Sequence, residues 1–256
     1  MPPSSQKLTV IVPTFNEEAS VAGCLESVRW ADEILVVDSF STDRTLEIAR
    51  RYGARIIQRQ YGYSASQKNW AIPQAGHPWI LLVDSDERVP PPLAAEVREV
   101  LARTQPANGY WVFRDNHLLG VRVRRCGWGT DRVLRLFRRD LGRYEDTQVH
   151  AEVQLPPPVG TLRRRLVHHS FRSFDQYMPK VWRYASWGAE DEWAAGKRAG
   201  LLDMILRPAL RFFKMYVLRL GFLEGTRGLM VSYLGTTAVL LKYARLWEKD
   251  RPPARG

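Results

Sequence analysis

The segment Trp79-Ile-Leu-Leu-Val-Asp-Ser-Asp-Glu87 carries the strongest structural signal in this sequence. Its five apolar residues, rich in branched side chains, predict a strand that is buried on both faces. Asp84 and Asp86 would then leave the sheet at the carboxyl end of that strand, where ligands bind in open α/β sheets. Carboxylate oxygens in this position suit Mg²⁺ or Mn²⁺, which proteins usually hold through one or two carboxylates plus substrate phosphates. A lone Asp-x-Asp pair is equally compatible with a solvated strand end, so the rest of the chain must decide.

Strand and helix patterns alternate before this segment. Three earlier strands are predicted at Leu8–Val12, Ile34–Asp38 and Ala54–Ile57. Asn16 is predicted to cap the first helix, with Glu17 and Glu18 in its first turn, where the helix dipole favours acidic residues. This alternation predicts a parallel, doubly wound sheet.

The pattern changes after residue 105. Shorter and more polar strands are predicted at Gly109–Arg114, Leu118–Arg124 and Arg132–Arg138, which indicates an antiparallel or mixed half of the sheet. From Phe174 onward the sequence is helical. Within it, Leu201–Leu220 mixes aliphatic and aromatic residues with arginine and lysine, and the charge-poor run Leu229–Leu241 is too short to span a bilayer. We expect either a membrane-surface element or a helical extension packed on the catalytic domain.

Composition narrows the classes of protein that fit. The 256 residues are 45% apolar and 25% charged, as in an ordinary globular protein. Only two cysteines occur, which argues against a disulfide scaffold or a zinc site and predicts a cytoplasmic protein. The net charge is +11, and twelve Lys/Arg against four Asp/Glu lie in residues 197–256. Such a basic region suits anionic lipid, phosphorylated substrates or nucleic acid, although no nucleic-acid-reading motif is present.

Polar or acidic side chains follow three of the predicted strands. They are Thr14 with Glu17, Asp38 with Ser39, and Asp84 with Asp86. In a doubly wound sheet all three sets would project from the same edge, which predicts a binding site there. The sequence has neither G-x-G-x-x-G nor the P-loop motif, so a dinucleotide oxidoreductase and a P-loop NTPase are not indicated. Carboxylates need a divalent cation between themselves and a diphosphate.

Four segments together resemble a known family. They are Val12-Pro-Thr-Phe-Asn-Glu-Glu18, Ile34-Leu-Val-Val-Asp-Ser-Phe-Ser-Thr-Asp43, Ser66-Gln-Lys-Asn69 and Leu82-Val-Asp-Ser-Asp-Glu87. In order and spacing they are similar to an inverting family 2 glycosyltransferase of GT-A fold. Pieces of the second half resemble the lipopolysaccharide core β-1,4-glucosyltransferases: Val149-His150, Leu166-Val-His168, Tyr177–Tyr184, Phe213–Tyr216, Gly221–Gly225 and Lys242–Ala244.

The resemblance implies an α/β architecture of GT-A type, with a Rossmann-like, mostly parallel sheet and a C-terminal helical extension. The expected catalytic domain is residues 1–172, with a nucleotide-sugar-binding half at 1–105 and an acceptor half at 106–172. A helical extension at 173–250 and a polar tail at 251–256 complete the expected organisation.

The resemblance also implies roles for individual residues. Pro13, Thr14 and Glu17 would line the uracil and ribose pocket, and Asp38 with Ser39 would read the uracil edge. Lys68 and Asn69 would lie near the nucleotide. Asp84 would face ribose or metal, and Asp86 would bind the metal. His168 is a candidate third ligand.

The catalytic base is less clearly marked. The subgroup has Val-His-Glu, whereas this chain has Val149-His-Ala-Glu152. A one-residue displacement in a strand reverses the face to which a side chain points. We therefore rank Glu152 first and Asp146 second as the base, with Glu145 as a further competitor, and carry over His150 as a catalytic candidate.

The predicted function is a metal-dependent inverting transfer of a hexose, with UDP-glucose as the expected donor. The acceptor would be a lipid-linked saccharide such as lipopolysaccharide core, at the inner face of the cytoplasmic membrane. One alternative is a sugar transferase that acts on polyprenyl phosphate, whose anionic acceptor needs no base. Another, from a different class, is a non-catalytic basic protein that binds membrane or nucleic acid on a degenerate transferase fold.

Overall fold

Four parallel strands form the first part of the sheet in the computed structural model, which describes residues 6–147, 151–171 and 173–251. They are β1 (Leu8–Thr14), β2 (Glu33–Asp38), β3 (Arg55–Gln58) and β4 (Trp79–Leu82). Their spatial order is β3-β2-β1-β4, with every neighbouring pair parallel. The apolar runs predicted as strands are therefore strands, and the predicted parallel sheet is confirmed.

Helices connect these strands and cover both faces of the sheet. They are α1 (Val21–Val28), α2 (Thr45–Arg51), α3 (Ser64–Ala71) with a 3₁₀ turn at Ile72–Gln74, and α4 (Pro91–Leu101). Alternate residues of β1 enter two separate apolar clusters, Val10 and Val12 in one and Ile11 in the other. Burial on both faces explains why these strands are continuously apolar.

Further strands extend the sheet beyond β4. They are β5 (Glu87–Arg88), β6 (Gly109–Leu118), β7 (Val121–Arg122), β8 (Arg132–Arg138) and β11 (Val159–Phe171). The order continues β4-β8-β6-β11-β5, and β7 pairs with β6. β8 is antiparallel to both of its neighbours, β4 and β6. A separate hairpin consists of β9 (Arg143–Tyr144) and β10 (Val153–Gln154). The predicted change from a parallel to a mixed sheet is confirmed.

Two local predictions were wrong. The predicted strand Leu118–Arg124 is not continuous: Leu118 ends β6, a turn at Leu119 and Gly120 with left-handed φ of 49° and 78° follows, and only Val121–Arg122 form β7. Asn16 does not cap a helix: its φ is 52°, and α1 begins five residues later at Val21. Its side-chain oxygen instead accepts a hydrogen bond from the backbone N–H of Thr42 at 2.8 Å. The loop after β1 is thus held by the loop after β2.

Glu33 joins several elements at the opposite end of the parallel strands. Its carboxylate accepts hydrogen bonds from the Thr9 hydroxyl, from the backbone N–H of Gly76 at 2.7 Å and from Arg55 Nε at 2.8 Å. Burial alone would raise the pKa of Glu33, but these donors and the Arg55 charge lower it below its usual value. The carboxylate therefore stabilises the fold in its ionised form.

The chain divides into two units. The first consists of Met1–Asp115 and Thr130–His168, and the second of Asn116–Gly129 and His169–Gly256. The second unit contains α5 (Phe174–Ala194), α6 (Leu201–Phe213) and α7 (Thr226–Lys249). A wide helical turn at Lys214–Leu218 and a 3₁₀ turn at Gly221–Glu224 connect α6 to α7. In the part of the chain that the structure describes, no helix combines the length and the hydropathy needed to cross a bilayer.

Candidate active site

Polar groups meet where the central parallel strands end. Thr14 and Asp38 are the last residues of β1 and β2, and the Thr14 hydroxyl donates to Asp38 Oδ1 at 3.1 Å. Asp84 follows shortly after β4, and β4 pairs with β1 on the side opposite to β2. In the order β3-β2-β1-β4 the chain adds β2 and β3 on one side of β1 and β4 on the other, and α/β sheets bind ligands where the strand order reverses in this way. The predicted gathering of these strand ends is confirmed.

Asp38 is completely buried and organises the loop that follows it. Its Oδ2 accepts hydrogen bonds from the backbone N–H of Ser41 at 2.9 Å and from Gln58 Nε2 at 3.1 Å. The Ser41 hydroxyl also donates to Oδ1. Burying a carboxylate is unfavourable unless hydrogen-bond donors satisfy its oxygens, as they do here. The side chain predicted to read the uracil edge is thus held rigidly by its own loop.

Gln67 joins this edge of the site and was not predicted from the sequence. It is 2% exposed, and its Nε2 donates to the Ser39 hydroxyl at 3.1 Å. Its Oε1 is buried and finds no hydrogen-bond partner among the described residues. A buried amide oxygen without a donor is unfavourable. The signal that could have shown it is a glutamine on the buried face of α3, next to Lys68.

Two cations hold Asp84. Lys68 Nζ lies 3.2 Å from Asp84 Oδ1, and Arg135 Nη2 contacts Asp84 Oδ2. The same Arg135 atom lies 2.9 Å from Oε1 of Glu87, whose side chain is fully buried. Burial alone would raise the pKa of Asp84, but Arg135 and then Lys68 hold it well below its usual range. Both Asp84 oxygens are therefore engaged by cations rather than free to bind a metal.

Arg135 is the second residue that the sequence analysis missed. It lies in the middle of β8, between Val133-Leu134 and Leu136-Phe137, and is only 4% exposed. Burial alone would lower its pKa, but the charges of Asp84 and Glu87 raise it well above the usual value. The sequence signal for Arg135 was an arginine in the middle of the apolar run Val133–Phe137, because a cation buried there needs an acidic partner.

Asp86 and His168 form a second pair. His168 Nε2 lies 3.6 Å from Asp86 Oδ2, and both side chains are partly exposed. The pair joins the loop after β4 to β11, where His168 is in register with Glu87. A carboxylate oxygen and an imidazole nitrogen are suitable donors for Mn²⁺ or Mg²⁺.

The predicted three-ligand set of Asp84, Asp86 and His168 is not formed. No group of three or more His, Cys, Asp or Glu side chains in residues 6–147, 151–171 and 173–251 is arranged to hold a metal. The physical reason is that Lys68 and Arg135 occupy the Asp84 oxygens. The residues present fit a cation held by two protein donors and completed by phosphate oxygens.

Three other predicted residues have their own contacts. Asn69 makes two hydrogen bonds with the backbone of Tyr144. Its Nδ2 donates to the Tyr144 carbonyl at 2.9 Å, and its Oδ1 accepts from the Tyr144 N–H at 2.8 Å. Glu17 accepts a hydrogen bond from the Ser20 hydroxyl. Pro13 lies half-buried in β1, opposite Val37 of β2. A nucleotide contact by any of the three remains a prediction.

The candidate bases lie in the segment that connects β9 to β10, with Asp146 shortly after β9 and Glu152 directly before β10. Glu152 and Asp146 are both exposed, whereas Val153, the first residue of β10, is buried. Asp146 accepts a hydrogen bond from the Tyr63 hydroxyl, directly before α3, and raises the pKa of Tyr63. His150 lies outside the described residues.

The model of glycosyl transferase family 2 matches residues 9–154, more than half of the chain. The chain belongs to this family. It is therefore a glycosyltransferase, and its mixed sheet with C-terminal helices is the predicted GT-A architecture.

Relatives of this family 2 glycosyltransferase span nearly all of its length. It is 29% identical over 97% of its length to the lipopolysaccharide core biosynthesis glycosyltransferase LpsC of Rhizobium meliloti (strain 1021), covering 94% of that protein. It is 26% identical over 95% of its length to an uncharacterized glycosyltransferase of Rickettsia bellii (strain RML369-C), covering 87% of it. The predicted similarity to lipopolysaccharide core transferases is confirmed.

Solved structures resemble part of the chain. Glucosyl-3-phosphoglycerate synthase from Mycobacterium tuberculosis, crystallised with Mn²⁺, UDP and glucosyl-3-phosphoglycerate, is 22% identical, with 44% of each chain covered and a TM-score of 0.37. So distant a likeness says nothing about the ligands of this glycosyltransferase.

Proposed function

We propose that this glycosyltransferase moves a hexose, with inversion, from a UDP-hexose to a hydroxyl of a lipid-linked saccharide. UDP-glucose is the proposed donor, lipopolysaccharide core the proposed acceptor, and the inner face of the cytoplasmic membrane the proposed location. The similarity to LpsC over nearly the whole chain supports the acceptor class. The observation that carries the proposal is the Asp86–His168 pair beside the strand ends that bear Asp38 and Asp84.

Asp86 and His168 would hold Mg²⁺ or Mn²⁺. The cation, when bound, supplies a Lewis acid that stabilises the negative charge of the departing nucleotide diphosphate. Asp84 is proposed to orient Lys68, whose Nζ it holds at 3.2 Å, toward the phosphates. Because Arg135 holds Asp84 and Glu87 from the buried side, the charges of the site are fixed before the substrate binds.

The nucleobase is proposed to lie at the edge formed by Asp38, Ser39 and Gln67. Asp38 and Ser39 are fixed by Thr14, Ser41 and Gln67 through hydrogen bonds. The free Oε1 of Gln67 is an acceptor suited to an N–H donor of a base. A pre-organised edge of this kind favours binding because little entropy is lost there.

Asp146 is the proposed base, ahead of Glu152. Inverting transfer needs a carboxylate that takes the proton of the attacking hydroxyl. Asp146 is held by Tyr63 next to α3, and Tyr144 of the same segment places its ring 5.3 Å from Lys68 Nζ. These contacts tie the Asp146 segment to the proposed phosphate side and are the reason for the ranking, since Asp146 and Glu152 are both exposed.

Two measurements test the proposal. Calorimetry with UDP in the presence and absence of Mn²⁺ should show binding that the metal strengthens. Incubation with labelled UDP-sugars and an inner-membrane lipid extract should transfer glucose to a lipid-linked saccharide with a β linkage. Absence of metal-dependent UDP binding, or transfer to polyprenyl phosphate alone, would contradict it.

A further inference from the structure

One face of α6 is apolar and exposed. Its members recur at helical spacing and lie on one side of the helix: Leu201, Leu202, Ile205, Leu206, Leu210 and Phe213. Leu201, Leu202 and Leu210 are 68%, 69% and 64% exposed. We call these six residues the α6 face. An amphipathic helix of a globular protein normally turns such a face toward the core.

The opposite side of α6 already has its packing partners. Pro208 is buried, and Met204 packs against the cluster that contains Tyr243 and Leu246 of α7. The wide turn that follows buries Met215 against Val231 of α7. The second unit is therefore complete without the α6 face, which remains available for another partner.

Cations accompany the exposed apolar residues. Lys214, Arg219 and Arg227 are exposed, and no carboxylate of the described residues lies within 4 Å of them. Arg207 pairs with Asp203 at 2.7 Å, and this is the single ion pair of α6 and its turn within the described residues. The surroundings of the α6 face thus carry unneutralised positive charge, which complements an anionic surface.

Aromatic residues continue the surface beyond the end of α6. The ring centroid of Phe212 lies 5.2 Å from that of Tyr216 and 4.9 Å from that of Tyr233. The ring of Phe222 lies 6.4 Å from that of Tyr216. Tyr233 and Phe222 are about half exposed. Aromatic rings with a polar end are favoured at the level of lipid headgroups.

We propose that the α6 face inserts into the surface of a membrane that contains anionic lipid, with α6 parallel to the membrane plane. Leucines and Phe213 would enter the acyl boundary, and Lys214, Arg219 and Arg227 would contact headgroup phosphates. The inference deepens the proposed function, on which it rests, because it names the surface that brings the enzyme to a lipid-linked acceptor.

A second copy of the chain is a poorer occupant. A symmetric dimer through the α6 face would place the same patch on both partners. Because the second copy presents the same basic surface, it would bring no excess of carboxylates to Lys214, Arg219 and Arg227. An anionic membrane satisfies the apolar residues and the cations together.

Vesicle sedimentation with the full chain tests the proposal. We expect binding to phosphatidylcholine vesicles that contain 30% phosphatidylglycerol (roughly the anionic content that creates a surface potential) and much weaker binding to phosphatidylcholine alone. Leu206→Ser with Leu210→Ser keeps the net charge and should weaken binding at least tenfold. Lys214→Glu with Arg227→Glu should abolish the preference for anionic lipid.

Matched controls separate insertion from general charge and from misfolding. Arg50→Glu with Arg103→Glu makes the same change in charge on exposed residues of the first unit and should retain binding. Circular dichroism and UDP calorimetry check that each variant is folded. Retained vesicle binding by the double serine variant, or its equal loss in the Arg50/Arg103 control, overturns the proposal.

The outcome is distinguishable from failure of the proposed activity. Wild-type protein that binds UDP with Mn²⁺ but not anionic vesicles overturns the membrane-docking surface and leaves the transferase standing. Protein that binds vesicles but not UDP supports the surface and contradicts the nucleotide site. A dimer in sedimentation velocity that the double serine variant dissociates would assign the α6 face to a second copy instead and overturn the proposal.

Discussion

His168 Nε2 lies 3.6 Å from Asp86 Oδ2, and this contact joins β11 to the acidic loop after β4. It is the structural basis of the proposed cation site, because both atoms are suitable metal donors. Asp84, which belongs to the same acidic motif as Asp86, instead contacts Lys68 and Arg135. The two aspartates of one motif therefore have different partners and are expected to have different roles.

Removing either donor of the pair should weaken the metal effect. We expect Asp86→Asn and His168→Ala each to reduce the Mn²⁺-dependent gain in UDP affinity by about 10- to 100-fold, as for the loss of groups that support a metal. Calorimetry measures the change. His169→Ala is the matched control, since His169 contacts the ring of His117 instead, and it should retain the gain. Equal losses in both histidine variants would contradict the assignment.

Arg135 should contribute strongly to stability. Arg135→Met leaves the buried Glu87 and Asp84 without their shared cation, and removing one partner of a buried ion pair costs about 3–5 kcal/mol. Urea unfolding gives the free energy of unfolding directly. Arg138→Met on the same strand breaks an exposed pair with Asp140 and should cost about 0–1 kcal/mol. Similar losses in the free energy of unfolding for the two variants would contradict a larger contribution from the buried ion pairs than from the exposed one.

Glu33 should make stability depend on pH. Its pKa is lowered in the folded protein, so its contribution is fully present above the unfolded carboxyl pKa of about 4.3 and is lost as the pH falls through the lower folded value. Glu33→Gln should therefore reduce the free energy of unfolding at pH 7 by about 1–3 kcal/mol. The difference from wild type should shrink in acid. Glu47→Gln, which breaks an exposed pair with Arg51, should show little effect at either pH.

The two candidate bases can be separated by turnover. We expect Asp146→Asn to lower kcat by about 10²–10⁴-fold, the range for a lost general base, while Glu152→Gln stays near wild type. UDP affinity should remain unchanged in both, since neither residue is assigned to the nucleotide. The opposite pattern would return the role to Glu152.

Gln67 should affect nucleotide binding without affecting the metal. Gln67→Leu removes the hydrogen bond to Ser39 and the free Oε1, so UDP affinity should fall by about five- to tenfold. The strengthening of binding by Mn²⁺ should persist. Gln74→Leu, which removes only a bond to the Trp70 carbonyl, is the control and should bind UDP normally. Unchanged affinity of the Gln67 variant would exclude a role at the base edge.

The sequence by itself determined the order and type of the elements. Continuous apolar runs such as Trp79–Leu82 predicted strands buried on both faces, and the polar residues that follow them predicted one functional edge, because parallel strands share the direction of their carboxyl ends. The ordered motifs also identified the family. Strand ends and family motifs are local properties, so they are readable along the chain.

Only the tertiary structure decided which side chains are partners. Arg135 reaches Asp84 because β8 pairs antiparallel with β4. Lys68 forms its ion pair with Asp84 because α3 lies near the same strand end. Neither contact follows from the spacing of these residues along the chain. The left-handed backbone of Asn16 stands where a helix cap was predicted, and that of Leu119 interrupts a predicted strand. The exposure of the α6 face was also undecided, because an amphipathic pattern gives the same periodicity whether the apolar side is covered or open. Long-range pairing and burial depend on the whole fold, and this is why they could not be read from local sequence.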